Sequence, residues 1–484
     1  MSDKRITSFA WNFLENIATQ GIQFFVGILM ARLLTPKDYG LIGILMVFIT
    51  ISTVIMDAGF FKAVMQKSNR TDDDFCTVFF FNVTTALVFF VVLCLCAPLI
   101  ADFYNEPILS PLTKVVALQL VINSAILVQR AKFSIAMDFR TQAHITIVAA
   151  LIQGATGVTM AFCGFGVWSI AWSGVVGALV NCILMWYYGK WRPRWRFSHS
   201  SFKEMFTFGS KLLASSLIDV TWKNIYPLII GKIFSPIELG YFSRASHYVK
   251  LPSTTFSGVI DRVTFPLLCK VKEDNETLNR QFCILFKLSA FIFFPLMAGF
   301  AVLAKPLIIL MITAKWAPCI IYLQILCCGF VLYPIHALNM NLLQVKGLSE
   351  LFLRLELIKK VIDVIALLIT VTMGVKEMCI GLAVTSYISW GINAYYSGKI
   401  IHIGLWNQIV LVAPTALYTF LMCCCIEGVK QLSDSYFVQL FGGFAVGVAA
   451  FYLICRLFKS NELTFMLEKV KGQIGKSSRN QQKD

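Results

Sequence analysis

The chain has 484 residues, 57% of them apolar and only 14% charged, with a mean hydropathy of +0.73 and a formal net charge of +16. That balance excludes an ordinary water-soluble domain of any size and places the chain in a bilayer. Its apolar runs are long and do not alternate, which excludes a transmembrane barrel built from strictly alternating spans of about ten residues.

Crossing a hydrocarbon core of roughly 30 Å takes about 20 residues of helix. Stretches of that kind follow one another at 8–34, 39–65, 76–101, 111–136, 142–164, 166–188, 206–233, 239–268, 281–304, 316–343, 351–374, 377–400, 405–427 and 436–458. The expected fold is therefore an all-α polytopic membrane protein of about fourteen transmembrane helices. The first stretch starts with basic residues, but Asn12, Glu15 and Gln20 interrupt any apolar core, so it reads as a membrane helix and not as a signal peptide. Asn12, Glu15, Thr19 and Gln23 recur at helical spacings and share one face. Charges in hydrocarbon cost roughly 2.5–3.5 kcal/mol each on insertion scales, so such a face is expected toward a bundle interior or water.

Next comes LLTPKDYG at 33–40: a hydroxyl cap, a proline in the first helical turn, an acid and a glycine. The same turn comes back as IFSPIELG at 233–240, aligning Arg32 with Lys232, Thr35 with Ser235, Pro36 with Pro236, Asp38 with Glu238 and Gly40 with Gly240. ALQL at 117–120 answers YLQI at 322–325, and YYGK at 187–190 answers YYSGK at 395–399. Two six-helix halves account for this. Because six is even, the halves are parallel and related by a pseudo-twofold axis along the membrane normal, with a C-terminal helix pair outside the repeat. The expected divisions are an N-terminal lobe at 1–188, a basic cytoplasmic linker at 189–205, a second lobe at 206–400, the additional pair at 401–460 and a polar tail at 461–484. Two such bundles can rock to open a central cavity to either side, which favours a transporter.

TDDDF at 71–75 holds Asp72 and Asp74 in the spacing used by metal-dependent glycosyltransferases, but in a short turn without a soluble catalytic domain; it reads as a solvated acidic loop. There is no phosphate-binding GxxxxGK[ST] loop, and neither a large external loop nor a catalytic histidine is offered. The 15 cysteines fall largely within expected spans, where a thiol behaves as a small apolar group, and the five histidines are unclustered. No enzymatic activity, metal or organic cofactor is expected.

Basic residues gather in alternate connections: Arg130, Lys132 and Arg140; then Lys190, Arg192, Arg194, Arg196 and Lys203; then the tail. The intervening loops hold about one cation each, such as Lys114, Lys305, Lys376 and Lys430. The positive-inside rule puts both termini in the cytoplasm, as an even helix count also requires. Anionic membrane lipids, not nucleic acid, are the expected partners of these stretches.

In the seventh helix Lys211, Ser215, Asp219 and Lys223 form a second polar face, at places equivalent to the first across the 200-residue register. The eighth adds Arg244 and Lys250. Lys211, Lys223, Arg244 and Lys250 would make a basic cavity wall suited to a phosphate or diphosphate, with Arg32 at the outer end of the first helix as a further cation or an interfacial anchor. The plainer readings are snorkelling and an Asp219–Lys223 pair at one helical turn. Glu15 and Asp219 are the candidates for coupling to H+ or Na+; Asp57 and Asp261 read as structural salt bridges or helix-end caps.

ILMARLLTPKDYGLIGI at 28–44, followed by MDAGFFKAVMQKSNRTDDDF at 56–75, resembles the opening of polysaccharide flippases of the multidrug, oligosaccharidyl-lipid and polysaccharide exporter superfamily. The likeness is to the branch handling colanic-acid-type and teichuronic-acid-type precursors. The second half departs from the motif, with Lys232 for the arginine and Leu239 for the aromatic residue. The resemblance implies a V-shaped pair of lobes with a cationic cavity in the bacterial inner membrane. It implies flipping of undecaprenyl-diphosphate-linked oligosaccharide repeat units from the cytoplasmic to the periplasmic leaflet by alternating access, for surface polysaccharide assembly, with polymerase and assembly proteins as further partners. An ion-coupled multidrug exporter or a lipid II flippase of the same fold stays open, as does a membrane glycosyltransferase or assembly scaffold.

Overall fold

The structure, a computed structural model, describes residues 2–469, and within them the side chains of all but 2–10, 12 and 13. The polar tail expected from residue 461 is described only as far as 469, and the remainder of that expectation lies outside the described residues.

Among the described residues the regular structure is helical, without a strand. The helices are α1 Ser2–Leu33, α2 Pro36–Asp57, α3 Phe60–Gln66, α4 Asp72–Tyr104, α5 Leu109–Ile135, α6 Phe139–Phe162, α7 Val167–Tyr188, α8 His199–Ile233 and α9 Pro236–Lys270. They continue as α10 Asn275–Val302, α11 Ala304–Ile312, α12 Cys319–Phe330, α13 Tyr333–Val345, α14 Ser349–Thr370, α15 Val375–Ile401, α16 Leu405–Leu432 and, after a π turn at Val438–Gly442, α17 Gly443–Leu457. Every apolar stretch read from the sequence coincides with one of these or with a broken pair. Nine helical stretches among the described residues are long and apolar enough to cross a membrane. The long helices outside that set are α1, α8, α9, α14 and α15, whose charged and polar residues interrupt the apolar run.

The repeated turn is built as its sequence dictates. At the start of α2 the Thr35 hydroxyl accepts from the Asp38 N–H at 3.3 Å while the Asp38 carboxylate accepts from the Thr35 N–H at 2.8 Å, a reciprocal capping box with Pro36 in the first turn. At the start of α9, Ser235 Oγ accepts from the Glu238 N–H at 3.1 Å. The two turns also touch each other. A Cβ added at Gly40 would stand 1.6 Å from the Pro236 carbonyl oxygen, and one at Gly240 would stand 2.0 Å from that of Pro36. The glycines are thus required at both places by a reciprocal backbone contact. A similar approach joins α8 to the break between α2 and α3, where a Cβ at Gly209 would lie 2.4 Å from the Ala58 carbonyl oxygen.

The chain packs as two compact units, 1–243 and 244–484, dividing within α9. In the first, α1 lies on α6, α6 on α7, α4 on α5, and α8 on α2, α3 and α4. One core there gathers Phe60, Phe75, Val128, Trp191 and Met205. In the second, α10 packs on α12, α13 and α16, α15 on α12 to α14, and α16 on α17. Phe282, Phe286, Leu338, Leu342, Trp390 and Val412 fill a core cluster there. In a bilayer such cores draw on close van der Waals packing more than on expulsion of water.

Candidate functional site

α8 buries Met205, Gly209, Tyr226, Ile230 and Gly231. That packing fixes its rotation and leaves Lys211, Ser215, Asp219 and Lys223 exposed along another face, the stripe expected from the sequence. Asp219 and Lys223 are ion-paired at 2.7 Å, with side chains 52% and 68% exposed. A pair so open holds its partners weakly, because water competes for both charges.

The equivalent face of α1 is more divided. Glu15 is half-buried, the Thr19 hydroxyl is buried, and Gln23 lines a cavity of about 170 Å³ with Tyr39, Gln153, Gly154, Gly157 and Ser173. The side chain of Asn12 falls outside the described residues. Arg32 is exposed at the end of α1. Its repeat partner Lys232 donates to the Phe103 carbonyl and sits 4.3 Å above the Phe103 ring, the geometry of an interfacial anchor.

In the second unit Lys250 is exposed on α9, whereas Arg244 is buried, its guanidinium 5.9 Å over the Trp316 ring. Asp57 accepts from the Phe61 N–H at 3.1 Å and so acts as the helix-end cap read from the sequence. Asp261 has another role: it accepts from Asn341 Nδ2 at 2.8 Å and opens onto a cavity.

That cavity, about 560 Å³, lies between α9 and α12 to α15 and is lined by Asp261, Tyr333, His336, Glu356, Lys359, Lys360, Asp363 and Thr385. Lys359 is ion-paired to Glu356 and only 12% exposed. The hydrogen bonds around His336 assign its tautomer. Ser386 Oγ donates to the Gly329 carbonyl at 2.9 Å, so it must accept from His336 Nε2 at 3.1 Å, leaving Nδ1 to accept from Asn393 Nδ2 at 3.2 Å. Both ring nitrogens are therefore satisfied within the second unit. Behind it, Asn339, Trp390, Ser397 and Gln408 form a buried network at 2.6–3.2 Å that ties α13, α15 and α16 together. A further cavity of about 510 Å³, lined by Phe291, Leu296, Met422, Phe444 and Phe451 among others, is almost wholly apolar.

Sequence reasoning missed the charged residues of α14. The signal was present: Glu356, Lys359, Lys360 and Asp363 fall midway along an expected span at spacings that place them on one face.

The expectation of a solvated loop at TDDDF needs correction. Thr71 and Asp74 form a capping box at the start of α4. Asp74, 1% exposed, pairs with Lys67 at 3.0 Å, and Lys67 also reaches Glu204 at 3.0 Å. Asp72 faces Lys132 at 3.6 Å and Asp73 faces Arg196 at 3.9 Å. Burial would weaken the Lys67 ammonium, but its two carboxylate partners win and raise its pKa above the ordinary lysine value. The acids are a clasp between connections. No cluster of three or more metal-ligating side chains occurs among the described residues.

Comparison with known proteins adds a family and a fold. The family described as polysaccharide biosynthesis protein matches residues 29–321. The chain is 25% identical to the lipopolysaccharide biosynthesis protein WzxC of Escherichia coli, over 88% of this chain and 89% of that one. It is 24% identical to the teichuronic acid biosynthesis protein TuaB of Bacillus subtilis, over 94% and 95%. Among solved structures it resembles the lipid II flippase MurJ in an inward closed conformation, with a TM-score of 0.73 at 16% identity, covering 94% of this chain and 98% of that one. It also resembles an inward-facing multidrug resistance transporter of the MATE family and MOP superfamily, with a TM-score of 0.60 at 16% identity over 82% and 95%.

Proposed function

This chain belongs to the polysaccharide biosynthesis protein family, and we propose that it flips lipid-diphosphate-linked oligosaccharide units across the membrane for surface polysaccharide assembly. Undecaprenyl diphosphate is the proposed carrier, and movement is from the cytoplasmic to the periplasmic leaflet of the bacterial inner membrane by alternating access, with both termini cytoplasmic. The observation that carries the reading is the exposed row of Lys211, Ser215, Asp219 and Lys223 along α8. A stripe with three charges cannot face hydrocarbon without a cost of several kcal/mol, so it faces a hydrated path. Lysines in that path suit a diphosphate, whose charges need cationic partners while crossing a low-dielectric region. The apolar cavity beside α17 suits a hydrocarbon chain.

Coupling to H+ or Na+ belongs to the same proposal. Glu15 and Asp219 are its first candidates, and Asp261 and Asp363 join them because they line the charged cavity of the second unit. The proposed lobes are 1–188 and 206–400, joined by the basic linker, with 401–460 as an additional pair.

The test is leaflet translocation in vesicles containing only this protein, with lipid-diphosphate oligosaccharides of several glycan types, lipid II among them, with and without an ion gradient. Movement by the native chain, reduced at least tenfold in Lys211→Ala/Lys223→Ala at equal insertion, is the expected result. Undiminished movement in the double variant would remove the cationic path. Movement of organic cations, with none of any lipid-linked glycan, would favour a drug exporter.

A further inference from the structure

We propose that the strap joining α7 to α8, residues 189–198, is a docking surface for anionic phospholipid headgroups at the membrane face where those helices end. One side of the strap is nailed down. Trp191 is 9% exposed, with ring centroids 6.4 and 5.9 Å from Phe75 and Phe79, and its carbonyl accepts from Gln129 Nε2 at 2.9 Å. Arg192 donates to the Gly189 and Trp191 carbonyls at 2.6 and 2.9 Å and lies 5.5 Å over Trp186. Farther on, the Arg194 N–H points to Cys76 Sγ at 3.3 Å and the Ser198 N–H donates to Thr77 Oγ1 at 3.0 Å. Anchors therefore recur every two to four residues, against α4, α5 and α7.

What remains outward is basic and aromatic. Lys190, Arg194, Arg196 and Phe197 are exposed, and Trp195 is 93% exposed. The Trp195 ring is not loose: it stacks on Phe80 at 5.0 Å and 26°. Phe80 lies two turns inside α4, one of the helices apolar enough to span, so the indole is held against the flank of a spanning helix near its end. Indole and phenol rings settle at the headgroup level, apolar body inward and polar edge outward. Tyr187 and Tyr188, exposed at the end of α7, extend the aromatic band. Among the described residues the ion pair made by these outward cations is Arg196 with Asp73, and only at 3.9 Å, so the surface keeps a positive excess. A strap with three outward cations and no enclosed pocket fits a sheet of headgroups. Each such cation gains about 1 kcal/mol near an anionic leaflet, roughly a fivefold preference.

The full chain, reconstituted in phosphatidylcholine vesicles with a minority of phosphatidylglycerol, carries the bromine quencher on either lipid in turn. Subtracting the fluorescence of Trp195→Phe from that of the native chain isolates Trp195 from the other tryptophans. The expected result is stronger quenching per brominated phosphatidylglycerol than per brominated phosphatidylcholine, with the ratio falling roughly fivefold for each charge removed in Arg194→Gln and Arg194→Gln/Arg196→Gln. Arg194→Lys/Arg196→Lys keeps the charge and should keep the ratio, which guards against a folding defect. Equal quenching by both labels in the native chain would overturn the proposal by showing an aromatic anchor without charge selectivity. Absence of quenching by either would overturn it in favour of water or a protein partner.

Discussion

Two lysine–carboxylate pairs, one on α8 and one on α14, use the same chemistry at nearly the same helical spacing and are built for opposite purposes. Lys223 and Asp219 stand 2.7 Å apart with side chains more than half exposed. Lys359 and Glu356 also pair within one turn, but the lysine is 12% exposed and the acid 37%. An open pair is worth little and surrenders its partners readily to an arriving anion. A sheltered pair is costly to split, because either charge left alone must be desolvated without compensation. The same residue types therefore make an open, solvent-screened pair in the first unit and a fixed part of a cavity wall in the second.

Breaking the sheltered pair is the severest test of that contrast. Lys359→Ala leaves Glu356 beside Asp363 in the same cavity, with Lys360 the remaining lysine there. We expect a loss of about 2 kcal/mol, below the range for a fully buried pair because Glu356 is partly open. Monodispersity after stepwise heating in detergent measures it, and Lys359→Ala/Glu356→Gln should recover much of the loss. Unchanged heat resistance in the single variant would make the two pairs equivalent.

Next in size is Lys223→Ala, which should cost transport and not stability. Translocation of a lipid-diphosphate oligosaccharide is expected to fall about tenfold, the effect of losing roughly 1.4 kcal/mol of headgroup interaction, with heat resistance unchanged. A parallel fall in both readouts would show that Lys223 holds the fold together.

The contrast also explains what the amino-acid order could and could not disclose. Apolar runs of helical length were legible, and each of the fourteen expected stretches coincides with helix, the conformation in which a single segment satisfies its own backbone hydrogen bonds. Helix ends were less legible. α8 starts at His199, seven residues before the expected 206, because the segment HSSFKEM is helical without being apolar. The α8 stripe was found because it repeats the polar face of α1. The α14 charges had no such echo: the YYGK and YYSGK landmarks differ by 395 − 187 = 208 positions, and at that offset Lys359, Lys360 and Asp363 align with Leu151, Ile152 and Ala155. Likewise the repeat of LLTPKDYG was plain, but its reason, Gly40 and Gly240 each seated on the other turn's proline carbonyl, is a tertiary fact.

The smallest predicted effect is the most discriminating. Asp219→Asn removes the acid from the open pair and leaves Lys223 charged. Stability should change by less than about 0.5 kcal/mol, since exposed pairs at this spacing contribute no more than that. Two roles for Asp219 then separate by sign. If the carboxylate only competes with the substrate for Lys223, its removal leaves the lysine freer, and the apparent affinity for a lipid-diphosphate oligosaccharide rises by about twofold, the reciprocal of that same half kilocalorie. If Asp219 carries the coupling ion, the variant loses the acceleration produced by an imposed H+ or Na+ gradient while keeping its gradient-free rate. Measuring initial rates against substrate density, with and without the gradient, reads both at once. An Asp219→Asn chain identical to the native one in affinity and in gradient response would remove Asp219 from the transport path and leave ion coupling to Glu15 or to the carboxylates of the second unit.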